Sequence, residues 1–217
     1  MGVYGEHPQL AGTVREDVGD MSHERETSYE RSCKQLQKMG VIAEGAIPPL
    51  PDRSPQHDDD DISSGFRLFR TWLGSGEPFG LQLPPDYENK IQESDCENLT
   101  LPRTFVGRCE ISRMSFKNTD LSESTLCWND FIEVNFTDAD LSECDLRASL
   151  YERTLFVRTN LRNADLRWST FKQCDFTGAD LRRAKLTHER GETLDLSAEQ
   201  KQVIDWRESE GEEPPGG

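Results

Sequence analysis

Residues 136–146 read Phe-Thr-Asp-Ala-Asp-Leu-Ser-Glu-Cys-Asp-Leu, with a large apolar residue at every fifth position. The same spacing runs without a break from Ile111 to Leu186. A five-residue period fits neither the 3.6-residue turn of an α-helix nor the two-residue alternation of a strand. A fixed longer period indicates a repeat architecture, in which each unit packs against its neighbours.

A second period, four units long, lies beneath the first. Every fourth unit carries a similar apolar residue, and stacking of like side chains on successive turns of the chain explains this sorting. Four units then form one four-sided coil, and adjacent coils lie about 4.8 Å apart. The four sets are Ile111, Phe131, Tyr151 and Phe171; Phe116, Phe136, Phe156 and Phe176; Leu121, Leu141, Leu161 and Leu181; and Leu126, Leu146, Leu166 and Leu186.

The residue two before each apolar centre is small in most units, as a narrow coil requires where two side chains per unit point inward. Met114, Asn129 and Val134 depart from this rule and predict a wider or less regular first half. Cysteine also fills the small position, at Cys109, Cys144 and Cys174, and we interpret these residues as buried free thiols.

The Ala-Asp-Leu units at 139–141, 164–166 and 179–181 resemble the pentapeptide-repeat family. The resemblance implies an all-β fold, a right-handed four-sided parallel β-helix. It also implies two classes of function. The best-understood bacterial members resemble duplex DNA in shape and charge, bind DNA gyrase and protect it from topoisomerase poisons. Others act as rigid spacers or protein-interaction modules.

The remaining segments are predicted to flank and cap the coil, because an open end would expose apolar core and unpaired backbone. A candidate helix would place Tyr29, Cys33 and Leu36 on one face, docked on the coil or on a partner. Residues 197–200 have the capping-box pattern of a helix start. The predicted segments are 1–65, a mostly disordered acidic tail with the candidate helix at 22–39; 66–100, an N-terminal cap; 101–187, the β-helix; 188–206, a C-terminal cap with a short helix; and 207–217, a disordered acidic tail.

The net charge of −16 lies mainly outside the repeats. Residues 101–186 contain 13 acidic and 13 basic residues, whereas residues 1–100 have a net charge of −10. Within the repeats, an acidic block precedes a basic stretch that runs from Arg153 to Lys185. The members of the acidic block are Asp120, Glu123, Asp130, Glu133, Asp138, Asp140, Glu143 and Asp145.

The acidic block has two interpretations. A gyrase-binding DNA mimic needs a long acidic stripe along the rod, and this block covers only part of it. Alternatively, the outward positions form a solvated face, or the polarity orients a partner of matching charge.

Trp128 and Trp168 are predicted on the outer surface at equivalent positions, two coils or about 10 Å apart. Ala148 lies between them, which leaves a shallow slot, and His188 extends the column. Aromatic residues are enriched at interface hot spots. The two tryptophans are therefore candidates for partner binding, although each could instead pack along its own corner or under the N-terminal tail.

Catalytic and cofactor motifs are not found in the sequence. The four histidines are scattered, and no glycine-rich phosphate loop follows a strand. His57 and the run Asp58–Asp61 fit an acidic tail better than a metal site. We therefore expect no enzyme activity, cofactor or metal. The lack of net positive charge on the repeats argues against direct nucleic-acid binding, and no signal peptide or membrane-length apolar span is seen, which favours a cytoplasmic location.

The sequence thus favours a non-enzymatic protein that binds a macromolecule, most simply another protein, through its solenoid. One alternative is a DNA mimic that protects a type II topoisomerase through Asp120–Asp145. Another is an immunity or scaffold protein whose acidic tails engage a basic partner. The resemblance also allows homodimer formation through the C-terminal end.

Overall fold

The fold is described by a computed structural model that covers residues 17–38, 45, 47, 49–50, 89–92, 95–107 and 109–208. Three helices and seven short strands are found in this part of the chain. In chain order they are α1 (Asp17–Lys38), β1 (Asn89–Gln92), β2 (Cys109–Ser112), β3 (Asp130–Ile132), β4 (Leu150–Glu152), β5 (Thr170–Lys172), β6 (Lys185–Thr187), α2 (His188–Gly191), α3 (Ala198–Val203) and β7 (Asp205–Arg207).

Strands β1 to β5 form a parallel sheet in which each strand pairs with the strand one coil further on. The pairing advances by four units of the repeat at each step, so that Glu110, Asp130, Leu150 and Thr170 lie in one row. The other three sides carry parallel bridges with the same register, such as Asp120 to Asp140. The predicted four-sided parallel β-helix is therefore confirmed.

We number the sides by their apolar centres, which fill the interior as stacked columns. Face 1 has its centres at Ile111, Phe131, Tyr151 and Phe171, and face 2 at Phe116, Phe136, Phe156 and Phe176. Face 3 has the leucines from Leu121 to Leu181, and face 4 those from Leu126 to Leu186. Neighbouring rings on face 2 are 5.4, 5.5 and 4.7 Å apart, and on face 1 the spacing is 5.0 and 5.2 Å. The two aromatic columns also meet edge to face, which adds to their area burial.

Where the inward residue two before a centre is polar, it has a second role, because its side chain donates a hydrogen bond to a backbone carbonyl on the preceding coil. Thr159 donates to the carbonyl of Phe136 at 2.7 Å, and Ser169 donates to that of Leu146 at 2.7 Å. Asn129 donates to Val106 and accepts from Cys109. The irregularity predicted from Met114, Asn129 and Val134 is not seen, since all three are buried and the register between coils continues through them.

Each corner of the coil needs a residue with a left-handed backbone. The residue two after the centre has a φ between 50° and 69° in nearly every unit, and only Gly178 among these is a glycine. This conformation is unfavourable for other residues, but hydrogen bonds between coils hold it in place. Asp138, for example, donates its backbone N–H to the carbonyl of Val157 at 3.0 Å.

The N-terminal end differs from the prediction. The coil is already present at β1, well before residue 101, because Asn89 pairs with Cys109. Its early centres include Cys96 and Val106, which are too small to make the five-residue period visible in the sequence. Most of the predicted cap at 66–100 lies outside the described residues, as do residues 1–16 and 209–217.

Helix α1 packs against this end of the coil. It contains the candidate helix at 22–39 except for its last residue, and it begins five residues earlier. Tyr29, Cys33 and Leu36 are buried in the same apolar cluster as Cys96 and Leu99. Ser32 also accepts the backbone N–H of Thr100 at 2.7 Å, which fixes the helix on the coil.

The C-terminal end is closed by α3 and β7. The predicted capping box is present, since Ser197 and Gln200 exchange backbone and side-chain hydrogen bonds. The Gln200 side chain also donates to the carbonyls of Phe176 and Ala179 on the last coil, at 2.8 and 3.0 Å. Strand β7 pairs in parallel with β6 and adds one more row.

The stacked core predicts a large difference between two adjacent residues. Replacing Phe156 by alanine removes a fully buried ring between Phe136 and Phe176, and we expect a loss of about 3–5 kcal/mol in the free energy of unfolding. Leu155→Ala is the matched control, because Leu155 is 39% exposed and its loss should change stability by no more than about 0.5 kcal/mol. Urea unfolding measures both; similar losses would contradict the assigned orientation.

Candidate protein-binding surfaces

The aspartates that precede the apolar centres hold the turns of the coil. In nine units of the described coil, an Asp or Asn at this position accepts, through its side-chain oxygen, the backbone N–H two residues later, at 2.8–3.3 Å. Asp120, Asp140 and Asp145 of the acidic block make this contact. Part of the acidic block is therefore required by the fold, whatever its function.

Arginines one coil away pair with other members of the block. Glu133 accepts from Arg153 at 3.0 Å, and Asp138 accepts from Arg158 at 2.7 Å. The two members of each pair lie at equivalent positions on adjacent coils, so stacking brings the acidic block against the start of the basic stretch. The hydrogen bond from Arg158 lowers the pKa of Asp138, which lies on the surface.

The remaining acids are spread over several faces and also have partners. Asp120, Glu123, Asp140 and Glu143 lie on face 3, where Glu123 accepts from Arg103 at 3.2 Å. Asp145, on face 4, binds Arg147 through two hydrogen bonds. Asp130 and Glu143 are exposed, and neither is without an interaction. The structure therefore does not bring the eight acids together in one uncompensated stripe.

Trp168 lies against two buried arginines on face 4. Its ring centroid is 4.8 Å from the guanidinium carbon of Arg167 and 5.9 Å from that of Arg147. Arg167 is 6% exposed and Arg147 is 4% exposed. Each pairs with the aspartate two residues before it: Arg147 with Asp145 and Arg167 with Asp165. The indole is thus fixed by a cation–π contact to charges that are already balanced.

The electrostatics of Arg147 follow from this arrangement. Burial by itself lowers the pKa of the guanidinium, but the hydrogen bond and negative charge of Asp145 more than offset it, so the net shift is upward. Asp165 contributes to the same effect from the next coil. The guanidinium therefore stays charged, and its charge is neutralised inside the face rather than by solvent.

Trp128 has a different environment, two coils before Trp168. It is partly buried, and its indole nitrogen is shielded from solvent without a hydrogen-bond partner among the described residues. Buried indole N–H groups usually find an acceptor. Ala148 lies between the two tryptophans, but the neighbouring Arg147 is buried and reaches toward Trp168. The predicted slot therefore has a guanidinium beside it.

The aromatic column continues to the C-terminal end. The exposed ring of His188 stacks on Trp206 with centroids 4.8 Å apart. Trp206 donates its indole N–H to the carbonyl of Lys201 and closes against Gly191, where the ring leaves no room for a methyl group. This end of the column is thus built from packed, hydrogen-bonded side chains.

The repeat pattern matches a known family. The family model for pentapeptide repeats matches residues 109–147 and 153–188, in eight copies. This part of the chain is a pentapeptide-repeat domain. A search of curated proteins gave no match.

Solved structures of pentapeptide-repeat proteins are also similar to the chain. HetL from the cyanobacterium Nostoc sp. strain PCC 7120 is 18% identical, with 45% of each chain covered and a TM-score of 0.39. A thylakoid-lumen protein from Arabidopsis thaliana is 23% identical over 64% of this chain and 91% of its own, with a TM-score of 0.31. QnrB1, a plasmid-mediated fluoroquinolone resistance protein, is 18% identical over 46% and 52%, with a TM-score of 0.28. This chain thus spans about half the length of HetL and of QnrB1.

Two arginines of the candidate surface on face 4 are not evident from single-residue patterns. Arg147 and Arg167 are charged and occupy outward positions, yet both are buried. The sequence pattern that could have identified these arginines is the triplet Asp-Leu-Arg, which recurs at 145–147, 165–167 and 180–182. Burial also depends on the tryptophan beside them, because Arg182 forms the same pair with Asp180 but has a side chain 58% exposed.

The cysteines and the charged groups suggest no site of their own within the described residues. All six cysteines are free, and burial raises the pKa of the Cys96 thiol to about 11. Of the three predicted as buried thiols, Cys144 is buried, whereas Cys109 and Cys174 are partly exposed. No group of His, Cys, Asp and Glu in the described ranges is placed to hold a metal ion. Nor does this part of the chain contain a helix long and apolar enough to cross a membrane.

The buried arginines provide a second prediction. Lysine lacks the planar fork that pairs with Asp165 and stacks on Trp168, so Arg167→Lys should lower the free energy of unfolding by about 1–3 kcal/mol. Arg182→Lys is the matched control, because it changes the same Asp-Leu-Arg triplet at an exposed site. Its effect should stay within about 0.5 kcal/mol. Chemical denaturation measures the difference, and equal effects would argue against the stack under Trp168.

Proposed function

We propose that this protein binds another protein through its pentapeptide-repeat domain, without catalysing a reaction, and that Trp128 and Trp168 lie at the centre of the contact. The observation that carries the proposal is the packing of Trp168 on Arg167 and Arg147. A large aromatic ring is held in place on an outer face, where it remains partly exposed. Tryptophan and arginine are enriched among the residues that dominate binding energy.

The balanced charges beneath Trp168 favour its burial by a partner. Covering a charge that lacks a partner costs several kcal/mol per ion. On face 4, Asp145 and Asp165 already pair with their arginines inside the protein. A partner that covers this face therefore displaces little water from charged groups and gains mainly apolar and aromatic contact.

The dimensions of the rod set a limit on this contact. The five rows of the parallel sheet on face 1 span about 20 Å, and one side with three strand residues is about 10 Å wide. A stable complex usually buries about 800 Å² on each partner, which is several times the area of one side. We therefore expect the partner to extend from face 4 around a corner onto face 1, where Ile132 and Leu150 are partly exposed.

A pull-down from a lysate tests the tryptophan surface. The double substitution Trp128→Ala with Trp168→Ala should lose the partner that the wild-type protein captures, because both aromatic contacts are removed. Leu155→Ala is the control: it removes a large exposed apolar side chain from face 2 and should keep the partner. Circular dichroism confirms that each variant is folded. Retention of the partner by the double variant would place the contact elsewhere.

The gyrase-binding alternative has less support from the contacts. A DNA mimic needs negative charge that is available to a basic surface, but Glu133 and Asp138 already pair with Arg153 and Arg158. The eight acids also lie on different faces. The immunity or scaffold alternative depends on the acidic tails, which lie mainly outside the described residues.

A DNA supercoiling assay distinguishes the gyrase alternative. We expect the wild-type protein at micromolar concentration neither to inhibit gyrase nor to protect it from a quinolone, because the arginine pairs reduce the available negative charge. Inhibition or protection that disappears after charge reversal at Asp138, Asp140 and Glu143 would contradict this expectation and restore the DNA-mimic function.

A further inference from the structure

The triplet Asp-Leu-Arg forms the same internal ion pair in all three places where it occurs. At 145–147, 165–167 and 180–182, the arginine donates from Nε and Nη2 to the two carboxylate oxygens of the aspartate. These bonds are 2.8 and 2.9 Å long in the first triplet and 3.0 and 2.8 Å in the second. The coil therefore shows which group an arginine at this position binds.

Residues 160–162 depart from this pattern by a single residue, because they read Asn-Leu-Arg. Asn160 keeps the turn, since its Oδ1 accepts the backbone N–H of Arg162 at 3.3 Å. Its amide nitrogen donates to Asp140 on the preceding coil at 2.9 Å. Asn160 thus has the shape of the aspartate without its charge, and it supplies no carboxylate to Arg162.

The side chain of Arg162 is exposed, and no carboxylate pairs with its guanidinium in the part of the chain that the structure describes. The carboxylate of Asp180, on the next coil, is already bound by Arg182. The hydrogen bond from Arg182 is the main cause that lowers the pKa of Asp180, and the charge of Arg162 adds to the effect. Arg162 therefore lies close to an ion pair of which it is not a member.

Arg183 adds a second positive charge beside Arg162. The bridge between Asn160 and Asp180 places Arg162 and Arg182 at equivalent positions on adjacent coils, and Arg183 is the next residue. The backbone N–H of Arg183 donates to the carbonyl of Val203 at 2.7 Å. Its side chain is exposed and pairs with no carboxylate among the described residues. The Cα atoms of the two arginines are about 6 Å apart, one coil and one residue from each other.

We propose that Arg162 and Arg183 bind an acidic segment of a protein partner, which supplies the carboxylate that Asn160 lacks. A carboxylate can accept two parallel hydrogen bonds from one guanidinium, as in the three triplets. Alternate side chains of an extended segment lie on one side, about 6.6–6.8 Å apart, so acidic residues at i and i+2 match the two arginines. Nucleic acid is a poorer fit, because its binding depends on neutralising many phosphates, and residues 101–186 have no net positive charge.

Titration of the isotope-labelled full-length protein with a capped peptide of alternating glutamate and glycine, followed by NMR at low ionic strength, tests the site. The amide signals of Asn163 and Arg183 and the side-chain N–H signals of Arg162 should shift in a saturable manner. The matching peptide of glutamine and glycine should shift them several-fold less, because it forms no charge-assisted pair. No saturable shift, equal shifts with the two peptides, or tighter binding of an oligonucleotide would overturn the proposal.

The substitution Asn160→Asp tests the missing carboxylate directly. It completes a fourth Asp-Leu-Arg triplet, so peptide binding should weaken several-fold although both arginines remain. Arg158→Gln is the matched control, because it changes the net charge by the same amount at an arginine that already pairs with Asp138, and it should leave binding unchanged. Arg162→Gln should abolish the shifts and decides the question if Asn160→Asp proves unstable. Unchanged binding in either Arg162→Gln or a folded Asn160→Asp protein would refute the proposal.

Two further variants separate this site from the other surfaces. The contact lies on face 3 and does not rest on the tryptophan surface of face 4. Trp128→Ala with Trp168→Ala should therefore leave the peptide shifts unchanged, and their loss would contradict a separate site. Replacing the glutamates of 208–213 by glutamine tests whether the chain's own C-terminal segment is the occupant. Shifts that appear only in this variant would assign the site to that segment and overturn the proposal of a partner.

Discussion

The hydrogen bonds between adjacent coils are the constraint on which the rest of this structure depends. Each strand or bridge residue pairs with its equivalent on the next coil, on all four sides. Because the coils are held one strand spacing apart, about 4.8 Å, like side chains must stack on like side chains. The aromatic columns, the carbonyl-binding small residues and the left-handed corners all satisfy this one spacing.

The interior of the domain could be predicted from the sequence for this reason. Stacking causes Phe and Leu to recur at every fourth unit. This recurrence predicted the four faces, the register between coils and the core residues. The start of the coil could not be predicted in the same way. Cys96 and Val106 occupy centre positions there, and α1 covers the end with Tyr29, Cys33 and Leu36. Because the helix supplies part of the core at this end, smaller residues can occupy the centre positions of the coil. The five-residue period is then no longer visible in the sequence.

The candidate surfaces were predicted less completely, because an outward side chain is controlled by neighbours that are distant in sequence. Counting charge along the chain separated an acidic block from a basic stretch. Folding joins them at their boundary, where Glu133 meets Arg153 and Asp138 meets Arg158. Likewise, the outward position of Arg147 predicts exposure, but the ring of Trp168 from the next coil and the carboxylate of Asp145 bury it. Both outcomes require the neighbour on the next coil to be considered together with the local sequence.

A repetitive rod can recognise one partner only through its departures from the repeat, since a uniform face would bind in several registers. The outward positions are where such departures are tolerated, because stacking constrains the interior and the turns but leaves these side chains free. Among the corners that the structure describes, tryptophan occurs at two, Trp128 and Trp168. Trp168, for example, is held in one position by the paired Arg167 and Asp165 beside it. The regular interior therefore gives the irregular surface residues a defined geometry.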